Sequence, residues 1–377
     1  MIGLRALPAS TGGVERHVEE LGARLVERGH DVTAFVRNPS PDGARRSSCR
    51  GMEVRHVASV RTKHLETISH TALSAMHALT GEFDVVHYHS IGPGIVAPVT
   101  RWGSRAKVVL TVHGLDDQRS KWARPAQLVL LAARWMSERV PDVTVTDAAW
   151  MAAIYANNGC PAVHVRNGVS TNVSAIAARR RRPRPPGWRP SVLFVGRLVP
   201  EKRADLLVRA FAAVPGDARL VIVGDGSYTD RHATEVASLA RRDRRVELVG
   251  TVHGPGLDAR WEDAALFCLP SVVEGLPLSM LDAAGCGVPI VASDVPAHRE
   301  ILCHSAPGRL LVPPDEEAAL AAALSDTLAD LATADRGADR TRRHVLARYD
   351  WESTTDAIEA VYEIALARAG PALRDAS

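Results

Sequence analysis

Two carboxylates frame the part of the sequence best suited to bind a ligand rich in hydroxyl groups. Glu274 stands just before a Gly-x-Pro turn, and Asp282 follows about two helical turns later, in the stretch PSVVEGLPLSMLDA. Pro277 suits the first position of a helix, and both carboxylates can accept hydrogen bonds from sugar hydroxyls. The amides that would face an anion at this helix N-terminus are those of Gly275, Leu276 and Leu278. A capped helix with two surface acids is the structural alternative.

Two cations occur in the segment VGRLVPEK, where Gly196 makes the turn after a candidate strand. Arginine binds phosphate oxygens as a fork, and lysine supplies a point charge. Arg197 and Lys202 could therefore neutralise the charge that builds on a departing nucleoside diphosphate. A surface ion pair with Glu201 or Asp205 would explain the same residues, so this segment alone does not decide its role.

Two glycines and a histidine in the first half stand where α/β sheets bind ligands. Gly12 and Gly13 fit a loop between a first strand and helix, where missing side chains let amides approach phosphate or sugar. His113 ends an apolar strand, and ligands bind at strand carboxyl ends in open α/β sheets. Ordinary turn glycines and a structural histidine are the alternatives.

A metal site is not indicated by the spacing of the possible ligands. His87 and His89 alternate on a predicted strand and so share one face, but no further ligands at matching positions are evident. The chain also contains no Asp-x-Asp sequence, so this spacing of metal-binding carboxylates is missing. The prediction is that no metal is bound.

The elements that must position these residues alternate between short apolar runs and amphipathic stretches, which is typical of parallel strands joined by crossover helices. Predicted strands of the first half are Ile2–Leu7, Asp31–Val36, Val54–Val57, Val85–Tyr88, Lys107–Val112, Val143–Val145 and Ala162–Val165. Those of the second half are Ser191–Val195, Arg219–Val223, Val246–Leu248, Leu266–Leu269, Pro289–Ala292 and Arg309–Val312. Predicted helices include Gly13–Arg28, Arg124–Glu138, Leu257–Ala265, Pro277–Cys286, Trp351–Ala369 and segments from about Ala204 and Glu316.

The length of 377 residues exceeds one ordinary domain, and a run rich in arginine and proline marks the predicted boundary. We expect an N-terminal domain over 1–180, a linker over 181–190, a C-terminal domain over 191–350 and a terminal helix and tail over 351–377. The arginine run could instead touch a membrane or a polyphosphate, but like-charge blocks are usually solvated.

Composition narrows the class of protein. The net charge of +3 does not favour a nucleic-acid binder. Five scattered cysteines without a Cys-x-x-Cys pair predict neither a disulfide framework nor a zinc site, which fits a reducing cytosol. No apolar run is long enough to span a bilayer, so we expect a cytoplasmic protein with at most peripheral contact with the inner membrane face.

Several motifs in order resemble the bacterial glycosyltransferase family 4, whose members share the GT-B fold. In the second half these are GRLVPEK, the GDG turn at 224–226, Gly250-Thr251-Val252, PSVVEGLPLSMLDA and VASDVPAHREIL. In the first half they are GGVERH at 12–17, Thr111-Val112-His113-Gly114 and Asn167-Gly168-Val169. The resemblance implies two Rossmann-like domains facing a central cleft, with a C-terminal helix that can cross back to the N-terminal domain.

The resemblance also implies roles for the residues that match the motifs. It places Arg197 and Lys202 on the donor diphosphate, Glu274 on hydroxyls of the transferred sugar and His113 beside the anomeric carbon. Asp282 would hold the ribose, although the family usually has glutamate there, so its carboxylate reaches less far. The donor site implied in full is Gly12, Gly13, Gly196, Arg197, Lys202, Val252, Glu274, Gly275, Leu276, Pro277, Leu278 and Asp282, with the base near Val252.

Two polar stretches of the first half could bind an acceptor by hydrogen bonds and an aromatic face. The acceptor residues expected there are Lys63, His64, Glu66, Asp116, Asp117 and Arg119. Exposed loop residues are the alternative interpretation. The acidic pair at 116 and 117 would suit a cationic acceptor.

The resulting prediction is a retaining, metal-independent glycosyltransferase of hexosyltransferase type. It would pass a sugar from a nucleotide-diphosphate donor, a UDP-sugar rather than a GDP-sugar, to an acceptor hydroxyl in glycan or natural-product biosynthesis. No cofactor is required beyond the nucleotide-sugar co-substrate, and no oligomeric state is predicted. One alternative is a non-catalytic sugar-nucleotide-binding partner of another transferase. A phosphorylase would need a lysine for pyridoxal phosphate, and Lys202 is the only lysine of the second half.

Overall fold

The computed structural model describes residues 1–9, 12–37, 43–60, 66–115, 124–183, 186–226, 230–302 and 311–368. The chain forms two compact units. Unit 1 comprises Met1–Gly168 and Trp351–Ser377, and unit 2 comprises Val169–Asp350. Each unit is an α/β domain whose sheets are mainly parallel. The predicted fold class is confirmed.

The helices and strands of unit 1 before residue 169 alternate along the chain. They are α1 Gly13–Glu27, β1 Thr33–Val36, β2 Arg46–Cys49, β3 Met52–His56, α2 Glu66–Leu79, β4 Val85–His89, α3 Ile91–Gly94, α4 Ala97–Gly103, β5 Lys107–Val112, α5 Arg124–Arg139, β6 Val143–Thr146, α6 Ala149–Asn157 and β7 Val163–His164.

The strands of unit 1 form two sheets that the first residues of the chain connect. One sheet has the order β4-β5-β6-β7 with all pairs parallel, and the other has the order β1-β3-β2. Strands β2 and β3 form an antiparallel hairpin, and its first strand, β2, was not predicted from the sequence. The predicted strand Ile2–Leu7 appears only as single bridges from Ile2 to Tyr88 and from Leu4 to Val36. Gly3 has φ +112°, which interrupts an extended strand between the two bridges.

Unit 2 repeats the alternation in a single sheet. Its elements are α7 Val173–Arg180, β8 Ser191–Val195, α8 Ala204–Ala212, β9 Arg219–Val223, α9 Asp230–Ala240, β10 Val246–Gly250, α10 Pro255–Asp263, β11 Leu266–Leu269, α11 Leu278–Gly285, β12 Ile290–Ser293, α12 Pro296–Leu302, β13 Leu311–Val312, α13 Glu317–Ala329 and α14 Leu331–Leu346. The sheet is parallel with the order β10-β9-β8-β11-β12-β13. This is the doubly wound arrangement, in which the strand order reverses between the neighbouring strands β8 and β11.

The C-terminal helix α15, Trp351–Ala367, belongs to unit 1. Trp351 and Ile358 are buried in one core cluster with Leu21 of α1 and Val109 of β5. A methyl group on Gly168 would overlap the Trp351 ring, so glycine is needed where this ring packs. The prediction that the C-terminal helix returns to the N-terminal domain is confirmed.

The boundary between the units differs from the predicted linker over 181–190. The division falls between Gly168 and Val169, and α7 belongs to unit 2. Arg180 of α7 is buried and donates a hydrogen bond to the Trp261 carbonyl oxygen at 3.0 Å. Trp188 donates to the Asp263 carboxylate at 2.9 Å. The arginine and proline run therefore lies within unit 2, because its side chains find specific partners there.

One further element differs from expectation. The long helix predicted from about Glu316 is two helices, α13 and α14, which meet at Asp330. The Asp330 side chain caps α14 by accepting a hydrogen bond from the Thr333 amide at 3.0 Å.

Candidate active site

The centre of the unit 2 sheet brings two predicted motifs to one edge. Strands β8 and β11 are parallel neighbours at the point where the strand order reverses. The loop that contains Gly196 and Lys202 follows β8, and the loop that contains Glu274 follows β11. The Val272 amide donates to the Glu201 carbonyl oxygen at 2.9 Å and so joins the two loops. Ligands of open α/β sheets bind at such reversal points, outside the strand carboxyl ends.

Lys202 and Glu274 form a short ion pair in this position. The Lys202 Nζ atom donates to Glu274 Oε1 at 2.5 Å, and the side chains are 15% and 9% exposed. Burial is the largest single influence on Glu274 and disfavours its charged form, but the charges of Lys202 and His298 and the Lys202 hydrogen bond together outweigh it, so the pKa of this carboxyl lies below its usual value. The pair is thus a charged, partly buried group at this edge of the sheet.

His298 lies in the same region and was not identified from the sequence. Its Nδ1 atom is 2.7 Å from the Ser293 carbonyl oxygen, which fixes the proton on Nδ1. Burial lowers the pKa of His298 to about 4, although the charge of Glu274 acts in the opposite direction. The Nε2 atom is buried without a hydrogen-bond partner in the described part of the chain. The only signal in the sequence was its place in VASDVPAHREIL.

The glycine turns after β8 and β9 pack directly against each other. The Gly196 amide donates to the Val223 carbonyl oxygen at 3.0 Å, and the Leu198 amide donates to that of Asp225 at 2.9 Å. Gly224 has φ +137°, and a methyl group on it would overlap the Gly196 carbonyl oxygen. Arg197, next to this contact, is half-buried.

The turn before α11 is buried from Gly275 to Leu278. Pro277 is the N-cap of α11 rather than its first helical residue, because its ψ of 101° is extended. Asp282 is buried, and its Oδ1 atom accepts a hydrogen bond from the Ser170 amide at 3.1 Å. Part of this carboxylate therefore holds the start of unit 2 in place. Val252 is half-buried in the loop after β10.

The site residues predicted in unit 1 fall into three groups: the two glycines before α1, Glu66 in an ion pair, and five residues that the structure does not describe. Gly12 has φ +100° and precedes α1, which begins at Gly13, and both are exposed. Glu66, an expected acceptor residue, begins α2 and lies 3.7 Å from an Arg37 nitrogen in an ion pair. The other expected acceptor residues, Lys63, His64, Asp116, Asp117 and Arg119, lie outside the described residues.

His113 stands at the centre of a polar cluster at the carboxyl ends of β4, β5 and β6. Its Nδ1 atom is 2.9 Å from Asp147 Oδ2, and its Nε2 atom is 3.2 Å from His89 Nδ1. His17 Nδ1 is 2.5 Å from Asn167 Oδ1, and Asn167 donates to Asp147 at 3.3 Å. Burial lowers the pKa of His17 to about 3 and that of His89 well below its usual value.

Sequence reasoning gave no role to three members of this cluster, His17, Asp147 and Asn167. A usable signal existed for Asp147, since it follows β6 as His113 follows β5 and His89 ends β4. The strands are parallel neighbours, so these residues meet at one sheet edge. The predicted sharing of one face by His87 and His89 is confirmed by stacked rings with centroids 4.3 Å apart.

The chain matches two family models. The model described as Glycosyltransferase Family 4 matches residues 11–173, and that described as Glycosyl transferases group 1 matches residues 189–330. The chain is 29% identical over 372 residues to a phosphatidyl-myo-inositol mannosyltransferase of Mycobacterium leprae, covering 93% of each chain. The alternative of a non-catalytic binding partner is not favoured by these matches.

Solved structures show the same fold. Sucrose-phosphate synthase of Thermosynechococcus elongatus is similar with a TM-score of 0.79 and 23% identity, over 94% of this chain and 95% of that one. HepE of Anabaena in complex with UDP-glucose gives a TM-score of 0.75 and 17% identity, over 94% and 97%. The fold is GT-B, as the sequence predicted. Within the described residues, no helix combines the length and hydropathy that crossing a membrane requires.

Proposed function

The chain belongs to glycosyltransferase family 4 and is a glycosyltransferase, and from this premise we propose a retaining transfer from a UDP-sugar to an acceptor hydroxyl. The acceptor would belong to glycan or natural-product biosynthesis. The observation that carries the proposal is the Lys202–Glu274 ion pair at the reversal point of the unit 2 sheet. The pair lies at the position where this sheet type binds ligands, and its two charges support the proposal because an ammonium suits phosphate and a carboxylate suits sugar hydroxyls.

The proposed donor site lies in unit 2. Arg197 and Lys202 neutralise the diphosphate, and Glu274 accepts hydrogen bonds from hydroxyls of the transferred sugar. Amides of the turn before α11 add donors to anionic oxygens. The full proposed set in unit 2 is Gly196, Arg197, Lys202, Val252, Glu274, Gly275, Leu276, Pro277, Leu278 and Asp282. Gly12 and Gly13 complete the proposed donor residues from unit 1.

The proposed reaction needs no protein nucleophile. The bond between the anomeric carbon and the diphosphate oxygen breaks as the acceptor oxygen bonds to that carbon on the same face. A phosphate oxygen takes the acceptor proton, and Arg197 and Lys202 stabilise the negative charge on the departing UDP. His113, oriented by Asp147, is proposed as a further catalytic residue. The nucleotide sugar is the only co-substrate proposed.

UDP is proposed over GDP as the nucleotide. HepE, which shares the fold, is described in complex with UDP-glucose. The Val252 loop after β10 is proposed to meet the base, with Asp282 on the ribose. The acceptor is proposed to bind unit 1 through Lys63, His64, Glu66, Asp116, Asp117 and Arg119.

Thermal unfolding with a panel of UDP-sugars and GDP-sugars tests the donor proposal. A donor that binds only the folded protein raises the unfolding midpoint as its concentration exceeds Kd. We expect a shift with at least one UDP-sugar, larger than with its GDP counterpart and absent in Arg197→Ala. No shift with any nucleotide sugar would contradict the donor site.

Proton NMR of the product tests the stereochemistry, and an inverted anomeric centre would contradict retention.

A further inference from the structure

Three imidazoles of unit 1 converge in a way that the proposed transfer does not require. His17 on α1, His89 at the end of β4 and His113 after β5 place one ring nitrogen each within 4.8 Å of one another. His17 and His89 are buried, and the His113 side chain is 8% exposed. The His17 and His113 ring centroids are 4.7 Å apart, and those of His89 and His113 are 5.5 Å apart.

A second layer of polar groups orients two of these rings. His113 donates from Nδ1 to Asp147, and His17 donates from Nδ1 to Asn167. Both imidazoles therefore present the lone pair of Nε2. Histidine that binds a metal usually donates its other nitrogen to a carboxylate or an amide or carbonyl oxygen, which is the arrangement of these two pairs.

Unsatisfied buried atoms point to a missing partner. Across the described ranges, His17 Nε2 is a buried side-chain nitrogen without a hydrogen bond, and Asp147 Oδ1 is a buried oxygen without one. Buried polar atoms in native structures usually have partners, so a concentration of them at one site needs a reason. A bound cation would satisfy the lone pair of His17 and give Asp147 a nearby positive charge.

We propose that His17, His89 and His113 bind one divalent transition-metal ion of the zinc class, through Nε2 of His17 and His113 and Nδ1 of His89. Zinc bonds imidazole at about 2.0–2.1 Å in tetrahedral sites, which sets nitrogens about 3.4 Å apart. His89 Nδ1 and His113 Nε2 are already 3.2 Å apart. The widest pair closes by small side-chain rotations, and His89 then carries its proton on Nε2.

The charge state of the rings suits this role, since metal ligands must be neutral imidazoles. His17 and His89 are buried, and burial disfavours the charged form of an imidazole. Three histidines leave a fourth position for water or another ligand. Imidazole also accepts copper and nickel, so the ion identity follows from availability.

A bound ion would occupy the Nε2 lone pair of His113. If His113 acts in the transfer, the metal inhibits the enzyme, and this consequence alone rests on the proposed function. The binding test below uses neither donor nor acceptor, so its failure and the failure of the transfer proposal are distinguishable.

Cobalt titration of the untagged, EDTA-stripped full chain tests the site. We expect one Co²⁺ per chain with the visible absorption of a tetrahedral nitrogen site, and displacement of that absorption by Zn²⁺. His17→Asn and His113→Asn should each weaken affinity at least about 100-fold, and Asp147→Asn about 10-fold. His30→Asn is the matched control, because His30 is a half-exposed surface residue paired with Glu359 in the same unit; its affinity should equal wild type.

Two results would overturn the proposal. One is the absence of a tetrahedral absorption band in the wild-type protein at saturating Co²⁺. The other is binding that His17→Asn and His113→Asn leave unchanged, which would assign it to surface histidines. Should a variant fail to fold, anomalous scattering from wild-type crystals soaked in Zn²⁺ decides the question: a peak among the three rings supports the site, and a peak only elsewhere rejects it.

Discussion

Lys202 and Glu274 show how two residues from separate motifs acquire one role. Neither carboxylate nor ammonium would be stable alone at an exposure of 9% and 15%, and each supplies the charge that the other needs. Asp282, by contrast, accepts a hydrogen bond from the Ser170 amide with one of its two carboxylate oxygens. Among the charged residues of the predicted donor site, Lys202 and Glu274 therefore face each other at the sheet edge, whereas Asp282 supports the backbone of unit 2.

Glu274→Gln should reduce kcat/KM of sugar transfer about 10- to 100-fold. The change keeps the size of the side chain but removes the charge paired with Lys202 and weakens acceptance of sugar hydroxyls. A charge-assisted hydrogen bond contributes about 1.5–3 kcal/mol, and tenfold in rate corresponds to about 1.4 kcal/mol. Steady-state kinetics over a range of donor concentrations provides the measurement.

Glu317→Gln serves as the matched control for this change. Glu317 also pairs with a cation, Arg209, at 3.0 Å, but its side chain is 49% exposed on α13. Exposed pairs contribute little, so activity should stay within about twofold of wild type. Equal losses in both variants would mean that Glu274 acts only through general stability.

At the scale of elements, most strands and helices were predictable because apolar runs and helical periodicity are local signals. Lys107–Val112, Ser191–Val195, Arg219–Val223 and Leu266–Leu269 were predicted with the bounds that the structure has. Strand Ile2–Leu7 was not, since the φ of Gly3 depends on packing that the sequence does not display. The predicted linker over 181–190 lies inside unit 2, because the division between the units falls earlier, between Gly168 and Val169, and the sequence carries no local signal there.

The candidate site was predictable only in part for a related reason. Motif spacing identified Glu274 and Lys202, but their contact depends on β8 and β11 being neighbours in a sheet order that is not sequential. The sequence signal for His298 was only its place in a motif, and that for Asp147 was only its position directly after β6. His298 follows β12 and Asp147 follows β6. Each of these strands is parallel to its neighbour, β11 or β5, so distant strand ends lie at one edge of each sheet.

Gly224→Ala should destabilise unit 2 by roughly 2–4 kcal/mol, because the added methyl group overlaps the Gly196 carbonyl oxygen and the backbone must move. The ends of β8 and β9 would separate at the proposed diphosphate site. Urea unfolding monitored by circular dichroism gives the free energy. Gly216→Ala is the matched control: its φ of +87° is equally unusual, but nothing lies within 4 Å. It should cost only about 1–2 kcal/mol of backbone strain, and an equal cost for both would contradict the steric argument.

At the scale of the whole molecule, both units bury neutral histidines. His17 and His70 lie in unit 1 and His298 in unit 2, with pKa values lowered by burial to about 3, 4 and 4 from an ordinary 6.5. The unfolded chain binds protons at these rings below about pH 6.5, whereas the folded protein does not until about pH 4. Folding stability is therefore fully present above pH 6.5 and declines as pH falls. The carboxyl of Glu274, with a lowered pKa, loses its contribution only below about pH 4.5.

Unfolding free energy should thus fall between pH 6.5 and pH 4.5 by up to about 1.4 kcal/mol per pH unit for each such histidine. His298→Asn should remove close to one proton from the uptake on unfolding, since the asparagine amide can still donate to the Ser293 carbonyl oxygen but does not titrate. Urea unfolding at closely spaced pH values measures this slope. His253→Asn, an exposed position in the same unit, should leave the slope unchanged. A His298→Asn slope equal to that of wild type would show that protonation of His298 in the folded state costs nothing, against the burial of its ring.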